Sequence, residues 1–575
     1  MEHRPVIIVG AGPVGLGAAM ELARFGVPSV VLERRATTSW HPKTRNVNTR
    51  TMEIVRGWGR TVYRRVRSID TPPGWKSPIR FLDTATGTEF GHIDTHGFIG
   101  PGPAVSPVEP VMSSQDLVEE ILVDGARATG LVDLRFSTEV VRLVRGATAD
   151  DVDAAVEVEV DGRTETIEGS ALLAADGAGS FVRRAIGIEL EGRRELADFV
   201  NAYFLADIEP LVDDRRAVLF FVATDAADGV LQPLDASGRW LCQINASPET
   251  SNRETFSDEV VRDWVRAAVG VDDLDVEVVS VGFWQLNATV AERFVSGRTI
   301  LIGDAAHQFP PTGGLGVNTG LQGMHNVIWK LAWHLRHGAP WSLVETYGTE
   351  RRPLSKRITE QSLQNSGNVA RIRSAMTSGG VADGGTPGDT MALGADELMQ
   401  ASNRYGNHLG IEFGSIYESS AVVPDGTAPP PVADDYADYV ASATPGARAP
   451  HHWLGAEDER LSTIDLVGTG LTLLAGPDGG PWIEAARAVA ADGPVPIDAY
   501  RIGDAGLTDR GDLPGVYGIG TAGAVLIRPD GHVAWRRADG ADGPDGGGGG
   551  VDGGGSGGDT AERVLREVID GVLGR

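Results

Sequence analysis

Short apolar runs that end in glycine turns organise the N-terminal part of the chain. Val6–Val9 has the continuous apolar pattern of a buried strand, and a glycine-rich turn follows it. The next residues have helical spacing to about Phe25, and a second apolar strand ends at Glu33. The pattern therefore predicts strand, turn, helix and strand in the first 33 residues.

Two later segments repeat the opening of this pattern. In "ALLAADGAGSFVRRAIGI" a strand over Ala171–Ala175 leads to an Asp176-Gly177 turn and a helix capped by Ser180. A further strand, Thr299–Ile302, runs directly into "GDAAHQFPPTGGLGVNTGLQGMHN". The three segments together are far more specific than any one of them.

Two other regions, 72–104 and 188–290, break this strand-turn-helix pattern. "FVNAYFLADI", "AVLFFVATD", "RWLCQINAS" and "VEVVSVGFWQLNATV" are typical of sheet strands. From about residue 396 the composition shifts to Ala, Gly, Asp and Pro, which predicts a linker over 396–445. The glycine-rich stretch 540–559 predicts a flexible loop before a last helix, Thr560–Leu573.

Composition narrows the classes of function. A chain of 575 residues predicts two or three domains, and its formal charge of -28 opposes nucleic-acid binding. No run of about 18 apolar residues occurs, and no signal peptide precedes the first strand, so we expect a cytoplasmic protein that does not enter a membrane. The single cysteine, Cys242, excludes internal disulfides and dithiol or C-x-x-C metal sites. We expect no metal, and any redox chemistry then requires a bound cofactor.

The first glycine turn has the spacing of a dinucleotide site. Gly10, Gly12 and Gly15 form G-x-G-x-x-G, which supplies a tight turn, a close approach to a pyrophosphate and close helix packing. Glu33 follows Gly15 by 18 residues, where a carboxylate can accept hydrogen bonds from ribose hydroxyls. An acid there disfavours a 2'-phosphate, but the fingerprint alone leaves NAD and FAD open.

The three segments together resemble the class A flavoprotein aromatic hydroxylases, the family of para-hydroxybenzoate hydroxylase. The likeness is strongest to the longer bacterial members that act on aromatic polyketides, and it covers about residues 4–395 and, less sharply, the rest. It implies an α/β fold with a Rossmann-like FAD-binding domain over 1–71, 105–187 and 291–395. A sheet domain for substrate over 72–104 and 188–290 would interrupt it. Residues 446–575 resemble a thioredoxin-like domain, which here has no redox cysteines.

The resemblance also assigns residues. The cofactor contacts that it implies are Gly10, Gly12, Pro13, Val14, Gly15, Glu33, Arg34, Arg45, Gln115, Asp176, Gly303, Asp304, Pro311, Gly314, Gly316, Val317 and Asn318. Asp304 would bind the ribityl chain, Asp176 would lie near the pyrophosphate, and Arg34 and Arg35 are candidate contacts of NAD(P)H. The catalytic loop would be Pro311, Thr312 and Gly313, and the aromatic substrate contacts would be Phe220, Trp240, Phe283 and Trp284.

The residue types around Asp304 suit a flavin ring better than a phosphate. Pro310 and Pro311 stiffen the loop and remove two N–H donors. The glycines of the loop, Gly313, Gly314 and Gly316, let the backbone approach a flat ring. A helix that begins around Val317 can direct its amides at the ring edge where negative charge accumulates on reduction. His307 is interpreted as structural.

One departure from the family is clear. Many relatives have an aspartate soon after "NTG", whereas this chain has Gln322, Gly323 and Met324. A glycine inside a helix costs about 1 kcal/mol relative to alanine. Local rearrangement near the cofactor is therefore expected.

The function implied is an FAD-dependent monooxygenase that uses NADPH or NADH and O2 to hydroxylate a large phenolic or quinonoid polyketide through a C4a-hydroperoxyflavin. Baeyer–Villiger or ring-opening oxygenation of a similar substrate stays open as an alternative. From another class, a flavin-bearing protein could bind an aromatic drug without turnover. A plain NAD dehydrogenase would leave the second and third motifs without a purpose. We expect a monomer or homodimer.

Overall fold

The computed structural model describes residues 4–43, 45–377, 400, 402–455, 460–509, 511–540 and 557–575. The helices are α1 (Pro13–Arg24), α2 (Thr49–Gly57), α3 (Arg60–Ser68), α4 (Gln115–Ala128), α5 (Phe181–Ala185), α6 (Asp258–Val269), α7 (Gly316–His337), α8 (Trp341–Thr377), α9 (Leu409–Phe413), α10 (Gly480–Asp492), α11 (Leu513–Tyr517) and α12 (Gly557–Leu573). In the described ranges, no helix has the length and apolar character needed to cross a bilayer.

The strands are β1 (Val6–Val9), β2 (Ser29–Leu32), β3 (Asn46–Val47), β4 (Ile79–Leu82), β5 (Glu89–Ile93), β6 (Val111–Met112), β7 (Val132–Arg135), β8 (Glu139–Arg145), β9 (Ala154–Val160), β10 (Arg163–Gly169), β11 (Leu172–Ala174), β12 (Leu190–Leu205), β13 (Leu219–Ala223), β14 (Asp228–Pro233), β15 (Arg239–Ala246), β16 (Glu277–Ala291), β17 (Val295–Ser296), β18 (Thr299–Leu301), β19 (His307–Gln308), β20 (Trp453–Leu454), β21 (Leu461–Ser462), β22 (Leu471–Ala475), β23 (Ile497–Arg501), β24 (Ala524–Ile527) and β25 (Val533–Arg537).

A six-stranded sheet in the order β17-β18-β11-β1-β2-β7 contains all three predicted strand-turn motifs. Four of its five strand pairings are parallel, and the edge strand β17 is antiparallel to β18. Strands β1, β2, β11 and β18 are buried along their whole length, as expected for a parallel sheet covered on both faces. The predicted α/β, Rossmann-like fold is confirmed.

Helix α7 makes a close contact with α1, the helix that follows β1 of this sheet. A Cβ at Gly17 would lie 2.8 Å from Leu321 Cδ2, and a Cβ at Gly320 would lie 2.7 Å from Val14 Cγ2. These glycines therefore allow the two helices to approach more closely than any larger residue would permit. Most of α7 is buried, and Gly338 ends it in the left-handed conformation.

A second sheet has eight strands in the order β19-β16-β12-β15-β14-β13-β4-β5. It is antiparallel except where β13 pairs with β4, so it joins the two chain regions that break the strand-turn-helix pattern in the sequence. The predicted strands are confirmed within β12, β13, β15 and β16. The domain boundaries themselves stay a prediction.

The C-terminal part contains a four-stranded sheet in the order β23-β22-β24-β25. Strand β22 is parallel to β23 across α10 and antiparallel to β24, and α12 packs on α10. This arrangement agrees with the thioredoxin-like fold that the sequence predicts. The last helix begins at Gly557, three residues earlier than predicted. The predicted flexible loop, 540–559, lies mostly outside the described residues, and its last three residues, 557–559, belong to α12.

The region predicted as a linker is packed along much of its described length. Phe413, Tyr417 and Tyr436 are all buried, and Tyr436 N–H donates to Asp434 Oδ1 at 2.9 Å. The sequence did not predict this packing, because the region is rich in Ala, Pro and Asp and its buried aromatic residues are far apart along the chain. Residues 402–445 are therefore not a free spacer.

Buried ion pairs join α7 and α8 to the C-terminal sheet. Glu350 accepts from Lys330 Nζ at 2.7 Å and from Arg528 Nη1 at 2.7 Å, and all three side chains are fully buried. Burial alone would raise the pKa of Glu350, but the two cations hold it below its usual value. Arg528 also pairs with Asp530 at 2.5 Å. The network fixes the inner helix of the cofactor region to the C-terminal region.

We predict that Glu350→Gln lowers the free energy of unfolding by about 3–5 kcal/mol, because it leaves Lys330 and Arg528 as buried cations without a full partner. Thermal unfolding measures the change as a lower midpoint. Glu360→Gln is the matched control, since Glu360 is exposed on the same helix. Equal midpoints for the two variants would contradict the assigned role.

Candidate active site

Three adjacent strands end at the same edge of the parallel sheet. Val9 of β1 lies opposite Ala174 of β11, and Ala174 lies opposite Leu301 of β18. The turns that follow these residues therefore start side by side. In open α/β sheets, ligands bind outside the carboxyl ends of the strands. The sequence motifs converge here.

The first turn is closely packed on one side and open on the other. Gly10 has φ of +105°, and a Cβ there would lie 2.4 Å from Ala175 O. A Cβ at Gly15 would lie 2.0 Å from Gly10 O, whereas a Cβ at Gly12 would meet nothing within 4 Å. Gly12 precedes α1 with no side-chain cap, and Pro13 occupies its first turn. The first amides of α1 are thus available to an anion that approaches Gly12.

Glu33 directs its carboxylate at this turn. Its Oε2 accepts from Ala11 N–H at 3.0 Å, and its Oε1 accepts from Arg35 N–H at 2.9 Å. Glu33 is half-buried, while Arg34 and Arg35 are exposed. The acid therefore lies beside the phosphate-binding turn, as a contact to ribose hydroxyls requires.

Asp176 has a structural role in the second turn. It accepts from Ser180 Oγ at 2.5 Å and from Val182 N–H at 3.0 Å, while Ser180 Oγ accepts from Arg183 N–H. The predicted cap of α5 by Ser180 is confirmed. Burial raises the pKa of Asp176. These bonds hold the turn at the sheet edge.

Asp304 follows β18 and its side chain is exposed to solvent, so we call the solvent-accessible sheet edge between Asp304 and the open side of Gly12 the crevice. Protein surrounds the carboxyl group closely enough to raise its pKa, although the side chain keeps an accessible surface. Lys43 opposes this shift by electrostatic attraction. Gly303, with φ of +61°, packs against α1, since a Cβ there would lie 3.1 Å from Val14 Cγ2. Sequence reasoning missed Lys43, which no motif marks.

The loop between Asp304 and α7 has two consecutive left-handed glycines, Gly313 with φ of +92° and Gly314 with φ of +64°. Pro311 is exposed, while Thr312 is buried and donates to Ser362 O at 2.9 Å. Helix α7 begins at Gly316 with no side-chain cap. Its first amides are therefore free of side-chain partners, as the sequence predicted for a ring-facing helix.

Asn318 connects this loop to α2. Its Nδ2 donates to Asn46 O at 2.9 Å and Gly314 O at 2.8 Å, and its Oδ1 accepts from Asn48 N–H at 2.9 Å. The side chain of Asn46 is buried beside Gly314, and both its polar atoms lack a protein partner. Asn46 is a further candidate contact that the motifs did not identify. Such an amide needs a partner to offset its burial.

Pro13, Arg45, Gln115 and Val317, four of the predicted cofactor contacts, line one small cavity. The Arg45 guanidinium donates to Val218 O at 2.5 Å and to Pro233 O. Burial lowers the pKa of Arg45 to about 10. Its predicted contact with FAD phosphates stays a prediction, and its observed contacts are with the second sheet.

The faces of the second sheet correct three of the four predicted substrate contacts. Phe220 and Trp240 have no exposed surface and pack in the core under α6. Sheet pairing puts Phe283 on that same face, since it is opposite the buried Val200. The sequence predicted that these segments are strands, but it could not predict which face of the sheet α6 covers. Phe220 and Trp240 therefore do not face the cofactor loop, and Phe283 lies on the wrong side of the sheet.

Trp284 is on the opposite face, where it stacks on Phe199 at 4.8 Å and donates to Asn201 Oδ1 at 3.0 Å. The same face includes Phe221, which packs edge-on against Tyr405. The carbonyl of Tyr405 would be 3.3 Å from a Cβ at Gly313. This face of the sheet thus adjoins the catalytic loop.

His41 also joins this face to the cofactor region, since His41 Nδ1 lies 2.7 Å from Ser280 Oγ on β16. Burial lowers the pKa of His41 to about 4, so the ring is neutral at pH 7.

The residues at this edge fit FAD. The open side of Gly12 and the free α1 amides suit a pyrophosphate, Glu33 suits a ribose, and the accessible Asp304 suits a ribityl chain. The left-handed glycines before α7 leave a flat backbone surface for a ring.

Comparison with known proteins agrees with this geometry. A family model described as "FAD binding domain" matches residues 3–362, and one described as "Aromatic-ring hydroxylase, C-terminal" matches residues 442–547. Tetracenomycin B2 monooxygenase-dioxygenase of Streptomyces olivaceus is 34% identical over 552 residues, which are 94% of this chain and 96% of that protein. Aklavinone 12-hydroxylase RdmE of Streptomyces purpurascens is 33% identical over 575 residues, 98% of each chain.

Two solved structures extend the comparison to the fold. The flavin-dependent monooxygenase PieE, in complex with FAD and substrate, has a TM-score of 0.87 and 33% identity, with 100% of this chain and 99% of that chain covered. Aklavinone-11 hydroxylase, in a ternary complex with FAD and aklavinone, has a TM-score of 0.82 and 30% identity, with 100% of each chain covered.

We predict that Gly12→Ala and Gly15→Ala affect different properties. The methyl group of Gly12→Ala enters open space where a pyrophosphate approaches, so the apoprotein should keep its thermal midpoint while FAD affinity falls at least tenfold. Gly15→Ala should lower the midpoint as well, because its methyl group overlaps Gly10 O. Flavin fluorescence titration and thermal unfolding measure the two effects. Unchanged FAD affinity in Gly12→Ala would contradict the assignment.

Proposed function

Because the chain belongs to the FAD-dependent aromatic-ring hydroxylase family, we propose that it is a monooxygenase that uses NAD(P)H and O2 to hydroxylate a large phenolic or quinonoid polyketide. One observation carries the proposal: the crevice at Asp304 and the loop before α7 adjoin the aromatic face of the second sheet. A substrate on that face would lie next to the cofactor ring.

The chain's own residues would hold the cofactor and shape its surroundings. The α1 amides would bind the pyrophosphate, Glu33 the ribose and Asp304 the ribityl hydroxyls. The amides at the start of α7 would face the edge of the ring that gains negative charge on reduction. Bound FAD would accept a hydride from a nicotinamide and transfer electrons to O2, which protein side chains cannot do alone.

The catalytic loop would orient the substrate and exclude water. Pro311 has no N–H to hydrogen-bond water, and the bond from Thr312 to Ser362 fixes the loop to α8. Trp284, which keeps some exposed surface, would pack on an aromatic ring from the sheet side. A phenol activates its own ring by losing a proton, so no separate catalytic base is required.

We infer the size of the substrate from the relatives. Two relatives that span more than nine-tenths of this chain are named for tetracenomycin and aklavinone substrates, and a 2,4-dichlorophenol 6-monooxygenase of Delftia acidovorans is 31% identical over 567 residues. The first two match a larger share of this chain at higher identity. We therefore favour a polycyclic substrate over a single-ring phenol.

Arg34 and Arg35 are our candidates for contact with the phosphates of NAD(P)H. Both are exposed directly after Glu33, and the backbone of Arg35 is fixed by the Glu33 carboxylate. Replacing both with alanine should raise the NAD(P)H concentration for half-maximal flavin reduction about tenfold and leave FAD affinity unchanged. Arg184→Ala, another exposed arginine near the sheet edge, is the control. Equal NAD(P)H dependence in both variants would remove the hypothesis.

Labelled oxygen tests the proposed reaction. With ¹⁸O2, NADPH and an aromatic polyketide that the enzyme consumes, we expect one labelled oxygen atom in the product and the other in water. NMR connectivity should show the new oxygen as a ring hydroxyl. Substrate binding with no oxygen uptake would contradict the proposal and favour a binding protein. Oxygen inserted between two carbons would instead establish Baeyer–Villiger chemistry.

A further inference from the structure

Arg351 on α8 differs from the buried cations around it. It is 3% exposed, its Nη1 donates to Tyr417 Oη at 3.0 Å, and its Nη2 donates to Thr319 O at 3.2 Å. Its Nε has no partner. In the described part of the chain, no carboxylate oxygen lies within 4.0 Å of its guanidinium.

Four other buried cations of this region are paired with acids. Lys330 and Arg528 share Glu350, while Arg50 and Arg448 share Glu53. A buried charge without a carboxylate is costly, so the lack of one at Arg351 needs a specific cause.

Position 323 supplies this cause. A Cβ at Gly323 would lie 3.7 Å from Arg351 Nε and 3.3 Å from Tyr347 Oη, so this is the position on α7 that faces the guanidinium. Glycine leaves it without a side chain. Two neighbouring groups are neutral: burial, with a contribution from Arg351, lowers the pKa of His307 to about 3, and burial raises the pKa of Tyr347. The carboxylates of Glu412 and Asp530 line the same small cavity as Arg351, but neither forms an ion pair with its guanidinium.

The unpaired charge contacts the first turn of α7. Thr319, which accepts from Arg351 Nη2, lies three residues after Gly316, where the helix begins. The free amides of this turn already create a partial positive charge at its N-terminus. The Arg351 guanidinium adds a full positive charge near these amides. Because it is buried away from water and salt, its electrostatic effect extends farther than that of a surface charge.

We propose that Arg351 is a positioning residue for the redox chemistry: its guanidinium, left without a carboxylate by Gly323, raises the reduction potential of FAD bound at the start of α7. The inference rests on the proposed function. Reduced flavin has a negative charge on the edge that faces this helix, so a buried cation stabilises the reduced form more than the oxidised form.

Gly323→Asp and Gly323→Asn form the matched test. The two side chains have nearly the same shape, and only the aspartate adds a charge next to Arg351. At a fixed potential, we expect the ratio of reduced to oxidised flavin to be about tenfold lower in Gly323→Asp, which equals about 30 mV for a two-electron couple. Spectroelectrochemical titration of the holoenzyme measures it. Equal potentials in the two variants would overturn the proposal.

A second pair of variants tests the proposal if the aspartate of Gly323→Asp disturbs folding. Arg351→Gln removes the charge and should lower the potential in the same direction, whereas Arg352→Gln, which removes a partly exposed charge paired with Glu191, should not. Equal potentials for Arg351→Gln and Arg352→Gln would also overturn the proposal.

The apoprotein separates this inference from the proposed function. An uncompensated Arg351 predicts a higher thermal midpoint for Gly323→Asp than for Gly323→Asn without any cofactor, because the new carboxylate pairs with the guanidinium. Equal midpoints would show that Arg351 is already compensated and would overturn the inference. A wild-type protein that binds no FAD would instead refute the proposed function and leave this stability difference intact.

Discussion

The register of three parallel strands is the constraint on which the site depends. Val9, Ala174 and Leu301 lie next to each other, so residues from three distant parts of the chain leave the sheet at one edge. The backbone at Gly10 and Gly15 then admits no side chain, because Ala175 O and Gly10 O occupy that space. The sheet thus fixes where Asp304 and the first turn of α1 meet, and the crevice between them follows.

Helix α7 is the second fixed element. Gly17 and Gly320 allow its close contact with α1, and Glu350 connects its Lys330 to Arg528 of the C-terminal sheet. The C-terminal region, which contains no cysteine, supplies the buried Arg528 that pairs with Glu350 and so holds α7. A helix with fixed N-terminal amides is what a preorganised electrostatic site requires.

Sequence patterns predicted the fold well where local signals were strong. The Rossmann-like strands, the cap at Ser180, the start of α7 and the strands of the second sheet all lie within a few residues of their expected places. Each of these features depends on short-range chemistry. Family membership followed from the order and separation of three such motifs.

Features that depend on long-range packing were not predictable. Period-two alternation could not say that α6 covers the face with Phe220 and Trp240, so both were assigned to substrate wrongly. The buried anchors of the expected linker, such as Tyr436, are too far apart in sequence to form a pattern. Lys43 and Asn46 belong to no motif and became visible only through their neighbours, Asp304 and Gly314.

The most direct test of the account is anaerobic reduction of the purified protein by NADPH and NADH, followed at the flavin absorbance, with and without aromatic polyketides. A flavin that bleaches slowly alone and at least tenfold faster with particular polyketides is the predicted result, because substrate on the aromatic face would control the crevice beside α7. A protein that retains no flavin, or whose flavin responds to neither nucleotide with any substrate, would contradict it.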